Sequence, residues 1–464
     1  MVPLQKSHLM QKYPLKNKSC LWGGQVQSDK PQWGFLTASD RLLDQKLFWA
    51  DIAGTTAHIK MLGKSSIMSA EESNQCIALL CKLYKKATTE PIHIPETYED
   101  IHSYLEFLLT NELGTAGERI HAGRSRNDQV LLAVRLFLRR ELFKLSAPIT
   151  RVFHLLSELA EQTMALPMPG YTHMQVAMPS SFGLWFSCFA ESLADDVLAL
   201  EYAYASINQN PLGTAAGYGS SFRVNRELTS GLLGFRELHI NPIYAQMSRG
   251  RSEKSVAVAI SSIAATLSKL ANDICLYSGQ DYGFIHLDEE VCTGSSIMPH
   301  KKNPDLAELI RGHCNVLQNL PNTITLLALN LPTGYHRDMQ LIKASLFPAL
   351  DNLLECLLMT ELLLKHITVA DKVSGHEKYK NIYTVEAVNM LVKEGMTFRK
   401  AYQTIAAKVK TESFMPPPHQ THSHTGSMGK PDLQGLKKKF FSRLEKIPFH
   451  EGEQAIERLM NNQT

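Results

Sequence analysis

Five apolar stripes at helical spacing constrain this chain more than any other feature of it. Val130, Val134, Phe137, Leu138, Leu142 and Leu145 form the first; Pro148 interrupts it, and Ile149, Val152, Leu156 and Leu159 resume it. Phe182, Phe186, Phe189, Leu193, Val197 and Leu200 make a second, and Val256, Ile260, Ile263, Leu267, Leu270 and Ile274 a third. A fourth runs from Asp305 to about Leu331 and a fifth from Leu341 to about His366. Helices of roughly 25–30 residues are about 40 Å long, so the spacing predicts an elongated bundle. One thin bundle cannot cover every stripe, which points to burial against other subunits. Period-2 alternation is almost lacking, and the fold class is all-α.

Around that centre the chain divides into three helical domains. Residues 1–120 form an N-terminal helical domain that starts with a loose extension over 1–20. Residues 121–366 are the central long-helix bundle, and 367–464 a small C-terminal helical domain. Ser69, followed by Glu71 and Glu72, reads as a helix N-cap. With 48 basic against 45 acidic residues the net charge is +3, too small to argue for nucleic acid or a membrane surface, so any attraction for anions is local. The eight cysteines have no metal-type spacing and read as buried free thiols of a reducing compartment. The first twenty residues lack the apolar run of a signal peptide, and the expected location is cytoplasmic.

Three polar stretches interrupt the helices. Gly294-Ser295-Ser296-Ile297-Met298-Pro299-His300-Lys301-Lys302-Asn303-Pro304-Asp305 combines a flexible start, hydroxyls, ammonium groups and a proline at a helix entry. It reads as a mobile loop closing on an anion; the alternative is a solvated surface loop. His121 to Gln129 places Arg124, Arg126 and Asn127 at the mouth of a long helix, where they suit carboxylates, or else form a cap with solvated arginines. Gly170-Tyr171-Thr172-His173-Met174-Gln175 offers a histidine flanked by hydrogen-bonding side chains just before the helix expected near Pro179. Tyr335 to Lys343 is a weaker cluster, readable as an ordinary helix start. Gly213 to Ser221 follows a helix and not a strand, so it is a tight turn and not a phosphate loop. No acidic or thiol residue accompanies the histidines of 419–424 in the sequence, and no metal is assigned to them. What remains, without a cofactor, is anion recognition plus Ser, Lys and His. That inventory suits removal of a proton next to a carboxylate followed by loss of a leaving group.

Taken together, Gly294–Pro304, Gly123-Arg124-Ser125-Arg126-Asn127-Asp128-Gln129 and Gly170–Gln175 resemble the fumarase/aspartase superfamily, and within it the argininosuccinate lyase family. Leu21–Gly24, Glu99–His102, Asn210–Gly213 and Ala307–Arg311 fit the same pattern, so the resemblance covers about residues 21–410. It implies a homotetramer whose central helices form a twenty-helix core, with active sites built by three subunits. The implied reaction is anti β-elimination of argininosuccinate to arginine and fumarate through an enediolate, late in arginine synthesis. Ser295 is then the base at Cβ, His173 the acid for the leaving nitrogen, and Glu308 the carboxylate that orients the histidine. Lys301 and Asn303 meet the developing charge; Arg124, Arg126, Asn127 and Thr172 hold the fumaryl part. Tyr335, Gln340 and Lys343 match substrate-binding positions, and His102 supports them from behind.

The chain departs from the family in places. His300 stands where glutamine is usual, and Gly213 to Gly219 differs from the usual Gly-Ser-Gly pattern. The substrate-contacting serine of the family aligns with either Ser39 or Asp40, and an aspartate there would repel a carboxylate. An adenylosuccinate-type substrate and a catalytically silent, crystallin-like structural homologue are the competing readings.

Overall fold

The computed structural model describes residues 31–461 except 91, 372, 374–376 and 419–421. The expectations for the 1–20 extension, for Leu21–Gly24 and for His419 lie outside the described residues. The N-terminal helices are α1 (Pro31–Asp44), α2 (Phe48–Lys64), α3 (Ala70–Thr89) and α4 (Ile101–Leu113). The centre holds α5 (Arg126–Thr163), α6 (Phe182–Ile207), α7 (Arg251–Tyr277), α8 (Asp305–Leu317), α9 (Leu320–Leu327) and α10 (Leu341–Lys365). Ser69 caps α3 through a reciprocal box with Glu72, as its sequence predicts.

The long stripes are the core. α5 lies along α6, α6 along α7, and α7 along α8, while α10 closes the group against α5 and α7. Phe137 and Phe347, ring centroids 4.3 Å apart, join α5 to α10. Helix α5 runs unbroken through Pro148 for 38 residues. An interior proline costs about 3 kcal/mol, but Leu145, Ile149, Val152 and Phe153 around it are buried and offset that cost.

The fourth stripe differs from expectation. It breaks after Leu317 and restarts at Leu320, where Pro321 falls in the first helical turn. A second difference is a hairpin of β1 (Pro167–Thr172) and β2 (Gln175–Ser181) that delays α6 until Phe182, with Ser181 as its cap. Of the described cysteines, Cys76, Cys314 and Cys356 are buried and Cys188 is exposed, so the buried-thiol reading holds for only some of them.

Past α10 come α11 (Thr384–Lys393) and α12 (Phe398–Lys410), which pack on each other around Ala387, Val388, Ala401 and Ile405. The final pair, α13 (Leu433–Leu444) and α14 (Phe449–Met460), returns to the main core. Phe440 stacks on Phe153 of α5 at 3.9 Å, and α14 lies against α2. The stretch Pro242–Tyr277 is long and apolar enough to cross a membrane, yet most of its apolar window is buried in this bundle. By contrast Leu309, Val316, Leu326 and Leu329, on and just beyond α8 and α9, face outward.

The start of α5 is fixed by Asp128. One carboxylate oxygen accepts the Ser125 N–H at 2.9 Å; the other accepts Gly213 N–H at 2.9 Å and Ala215 N–H at 2.8 Å. Gly213 has φ +85° and Ala215 φ +51°, so the turn is the tight one expected, held open by a carboxylate three helical positions from Ser125. Asp128→Asn turns one acceptor into a donor facing N–H groups. It is expected to lower unfolding free energy by about 2–3 kcal/mol, read as a lower denaturant midpoint with an unchanged slope.

Candidate active site

The predicted residues fall into three groups on different elements. The first surrounds the N-terminus of α5. Arg124 is buried and donates to Thr55 Oγ1 at 3.0 Å. Beneath it Asp51 of α2 meets His102 Nδ1 at 3.0 Å and accepts from Gln129 Nε2 at 2.8 Å. Burial pushes the Asp51 carboxyl up, but His102, Arg124 and Gln129 outweigh it and hold Asp51 below the usual range. His102 is thus linked to the arginine stretch through Asp51. Arg126 pairs with Glu99 Oε1 at 2.7 Å and with Asp100, and its neighbour Asn127 lies in the first turn of α5. The same patch receives Arg337, 4.0 Å from Glu99 and bonded to the Leu36 carbonyl at 3.1 Å.

Lys343, in the first turn of α10, is buried and bonded to Asp44 at 2.5 Å and Asp40 at 2.9 Å. Burial pulls its ammonium down, and the two carboxylates more than reverse this, so the lysine is held charged. Asp40 is buried in this pairing, whereas Ser39 beside it is exposed. Gln340 ends the short 3-10 turn Arg337–Gln340 that leads into α10. The Tyr335 ring sits 5.0 Å from the Arg249 guanidinium carbon.

The second group is the β1–β2 hairpin. Thr172 pairs with Gln175, and His173 (φ +52°) and Met174 (φ +60°) form the two-residue turn between them. Such turns favour asparagine and glycine, so a histidine and a methionine there hold local strain, a pattern found at functional sites. His173 is exposed, and it borders a cleft of about 680 Å³ with Tyr171, Tyr282, Asp273 and Arg311.

The third group is the opening loop, now with a defined stem. Strands β3 (Thr293–Gly294) and β4 (Lys302–Asn303) pair antiparallel, and Thr293 bonds to Asp305 across the stem. Ser295 Oγ accepts the N–H groups of Met298 at 3.2 Å and Ile297 at 3.4 Å. Lys302 pairs with Glu289 at 2.9 Å; Lys301 has no ion pair among the described residues. Asn303 reaches the Gly294 carbonyl at 3.5 Å. Glu308, in the first turn of α8, is half exposed and 3.8 Å from Arg311, which also lines the cleft beside His173.

Among the described residues no hydrogen bond or ion pair joins Arg126, His173 and Ser295 to one another. Within one chain the three groups stand on separate elements. Sequence reasoning passed over Asp51 and Asp44, and it named Lys343 and Asp40 without their pairing to each other. The signal for Asp51 was there: a lone aspartate beside Ile52, Ala53 and Ala57 on a buried face needs a partner. Arg311 and Tyr282 had no such signal, because only the packed hairpin brings them to His173.

A long-helix bundle with its polar motifs on a capped helix, a strained hairpin and a stem-tethered loop defines a lyase of the fumarase/aspartase type. The comparisons with known proteins agree. The sequence profile of the family described as Lyase matches residues 27–318. An argininosuccinate lyase of Bacteroides fragilis is 46% identical over 409 residues, 88% of this chain and 92% of its own length. That of Thermotoga neapolitana is 35% identical, covering 84% and 98%. Among solved structures, an EDDS lyase in complex with formate superposes with TM-score 0.73 at 21% identity, covering 93% of this chain and 94% of its own. A class II fumarase of Schistosoma mansoni gives TM-score 0.64 at 17% identity, covering 82% and 89%. The chain belongs to the argininosuccinate lyase family.

Two buried histidines, His58 and His239, and the half-buried His121 contribute to the acid response. Burial, then Arg124, holds His58 well below its usual range and His121 down to about 4; burial, then Arg135 and Arg226, push His239 to about 3. Unfolded histidine takes its proton near 6.5, so this stability is complete above that pH and is lost as pH falls toward the folded values. Between pH 7 and pH 5 each such histidine is expected to remove about 2 kcal/mol. Urea titrations across that range should show the decline, and His239→Phe, which keeps the ring against Tyr244, should make it shallower.

Proposed function

We propose that this chain cleaves argininosuccinate to arginine and fumarate, as the relatives' name implies for them, at sites completed by neighbouring copies in a homotetramer. Ser295 removes the Cβ proton. The electron pair moves into the adjacent carboxylate as an enediolate, then returns to form the fumarate double bond as the C–N bond breaks. His173 supplies the proton that the departing nitrogen takes, and Glu308 of another chain orients it. Lys301 and Asn303 face the enediolate, and Arg124, Arg126, Asn127 and Thr172 hold the fumaryl half. Tyr335, Gln340 and Lys343 also bind the substrate. We further propose the division into 1–120, 121–366 and 367–464, and a cytoplasmic location.

One observation carries the reading: the two N–H groups that converge on Ser295 Oγ at 3.2 and 3.4 Å. A free serine hydroxyl is a very weak base, and only donors aimed at its oxygen stabilise the alkoxide that a base requires. With Lys301, which has no ion pair among the described residues, on the same loop, the loop has donors for an alkoxide and for an enediolate. A silent structural homologue has no need of either.

Purified protein is expected to release fumarate from argininosuccinate, followed by its ultraviolet absorbance, and to leave adenylosuccinate uncut. Ser295→Ala should retain the wild-type assembly and lose about 10²–10⁴-fold in kcat. Substantial residual turnover would remove serine from the base role, and absence of fumarate release by the wild type would end the substrate assignment.

A further inference from the structure

One buried polar cluster is used by none of the motifs. Segment 239–253, which spans the short helix Pro242–Met247 and the first residues of α7, brings His239, Ser248, Arg249 and Glu253 against Arg135 of α5 and carries Gln246 on the same short helix. All are buried. Arg135 gives its terminal N–H groups to the Gln209 carbonyl at 2.9 Å and Ser248 Oγ at 2.6 Å, while its Nε and both ring nitrogens of His239 have no hydrogen-bond partner among the described residues. Glu253 is committed to the Gly250 N–H at 2.7 Å. Gln246 and Arg249 add to that deficit. Neither end of the Gln246 amide has a hydrogen-bond partner among the described residues, and neither do Nε and Nη1 of Arg249. Orphaned donors and acceptors cost about 1–3 kcal/mol each when buried, so four on two adjacent side chains need an explanation.

Their surroundings supply one. The Arg249 guanidinium carbon is 5.0 Å from the Tyr335 ring centre. Gly217 (φ +103°) leaves room that a side chain would take from Gln246: a Cβ there would come within 2.9 Å of Gln246 Cγ. Tyr218 next to it is exposed, with its hydroxyl beside Gly334. That turn is the one Asp128, at the head of α5, holds through Gly213 and Ala215. Two guanidinium groups face a single carboxylate, Glu253, and the local excess charge is positive. At Lys343 the balance is opposite, one ammonium between two buried carboxylates, which suits a cation and repels an acid group.

We propose that Gln246 and Arg249, roofed by Tyr335, form a carboxylate-binding niche that takes an acid group of the fumaryl half of the substrate. This rests on the reading of the chain as a lyase acting on a succinyl adduct. An arginine fork offers two parallel N–H groups to a carboxylate, and the Gln246 amide adds a neutral donor. The Asp40–Lys343–Asp44 end then receives the ammonium end of the molecule.

The test uses full-length Gln246→Met and Arg249→Lys with fumarate as the probe. Fumarate should raise the wild-type unfolding temperature, and the variants should lose that shift while unfolding without ligand within a few degrees of wild type. In turnover of argininosuccinate KM should rise at least about tenfold with kcat little changed, the signature of lost binding. If both variants keep the fumarate shift and the wild-type KM, the cluster is only a packed, water-filled core and the niche is wrong. A fall in kcat at constant KM, or no fumarate shift in the wild type, also overturns it. Should Arg249→Lys fail to fold, Gln246→Met decides alone, since methionine fills the amide's space without its polar atoms. A wild type that binds fumarate but does not cleave argininosuccinate ends the substrate reading and leaves the niche to be judged on the fumarate shifts.

Discussion

Everything at the head of the long helix depends on the three N–H groups that converge on Asp128. A buried carboxylate is expensive to keep without donors, and here burial still pushes Asp128 up to about 6. The return is positional. One side chain fixes where α5 begins and where Arg126 and Asn127 stand, and it pulls in the Gly213–Gly219 turn from a different part of the chain. Through that turn it sets the neighbourhood of Gln246 and Tyr335. These polar groups are thus referred to a 38-residue helix packed along most of its length.

The helices were legible because burial imposes period on sequence. The stripes at Val130–Leu159, Phe182–Leu200 and Val256–Ile274 are covered in the structure by the faces they predict. The hairpin at 167–181 was not legible. It carries prolines and alternates poorly, and its turn uses histidine and methionine where the usual turn residues would have given it away. The break at Gln318–Asn319 was hidden in the same way, because the apolar spacing continues across it.

Site residues divide along the same line. Ser295, Lys301 and Asn303 stand out as polar groups clustered where no core is possible, and the structure puts them on an exposed, stem-tethered loop. Lys343 looked like a substrate lysine and is bonded to Asp40 and Asp44, contacts across some 300 positions that no local pattern announces. Arg126 likewise is paired within its own chain to Glu99 and Asp100. Long-range charge pairing is the part of a site that a sequence hides best.

The central claim is that the reacting groups of one site come from different chains, since within a chain His173 and Ser295 lie on separate elements and in separate groups. The direct measurement is activity after mixing two inactive variants, Ser295→Ala and His173→Asn, dissociated and allowed to reassemble together. Asparagine suits the left-handed turn at position 173, so the second variant should keep its hairpin. If serine and histidine are supplied by different subunits, an equal mixture should recover about one quarter of wild-type activity, from sites that receive both intact groups. Recovery no greater than that of the separately treated variants would place both groups on one chain and contradict the account.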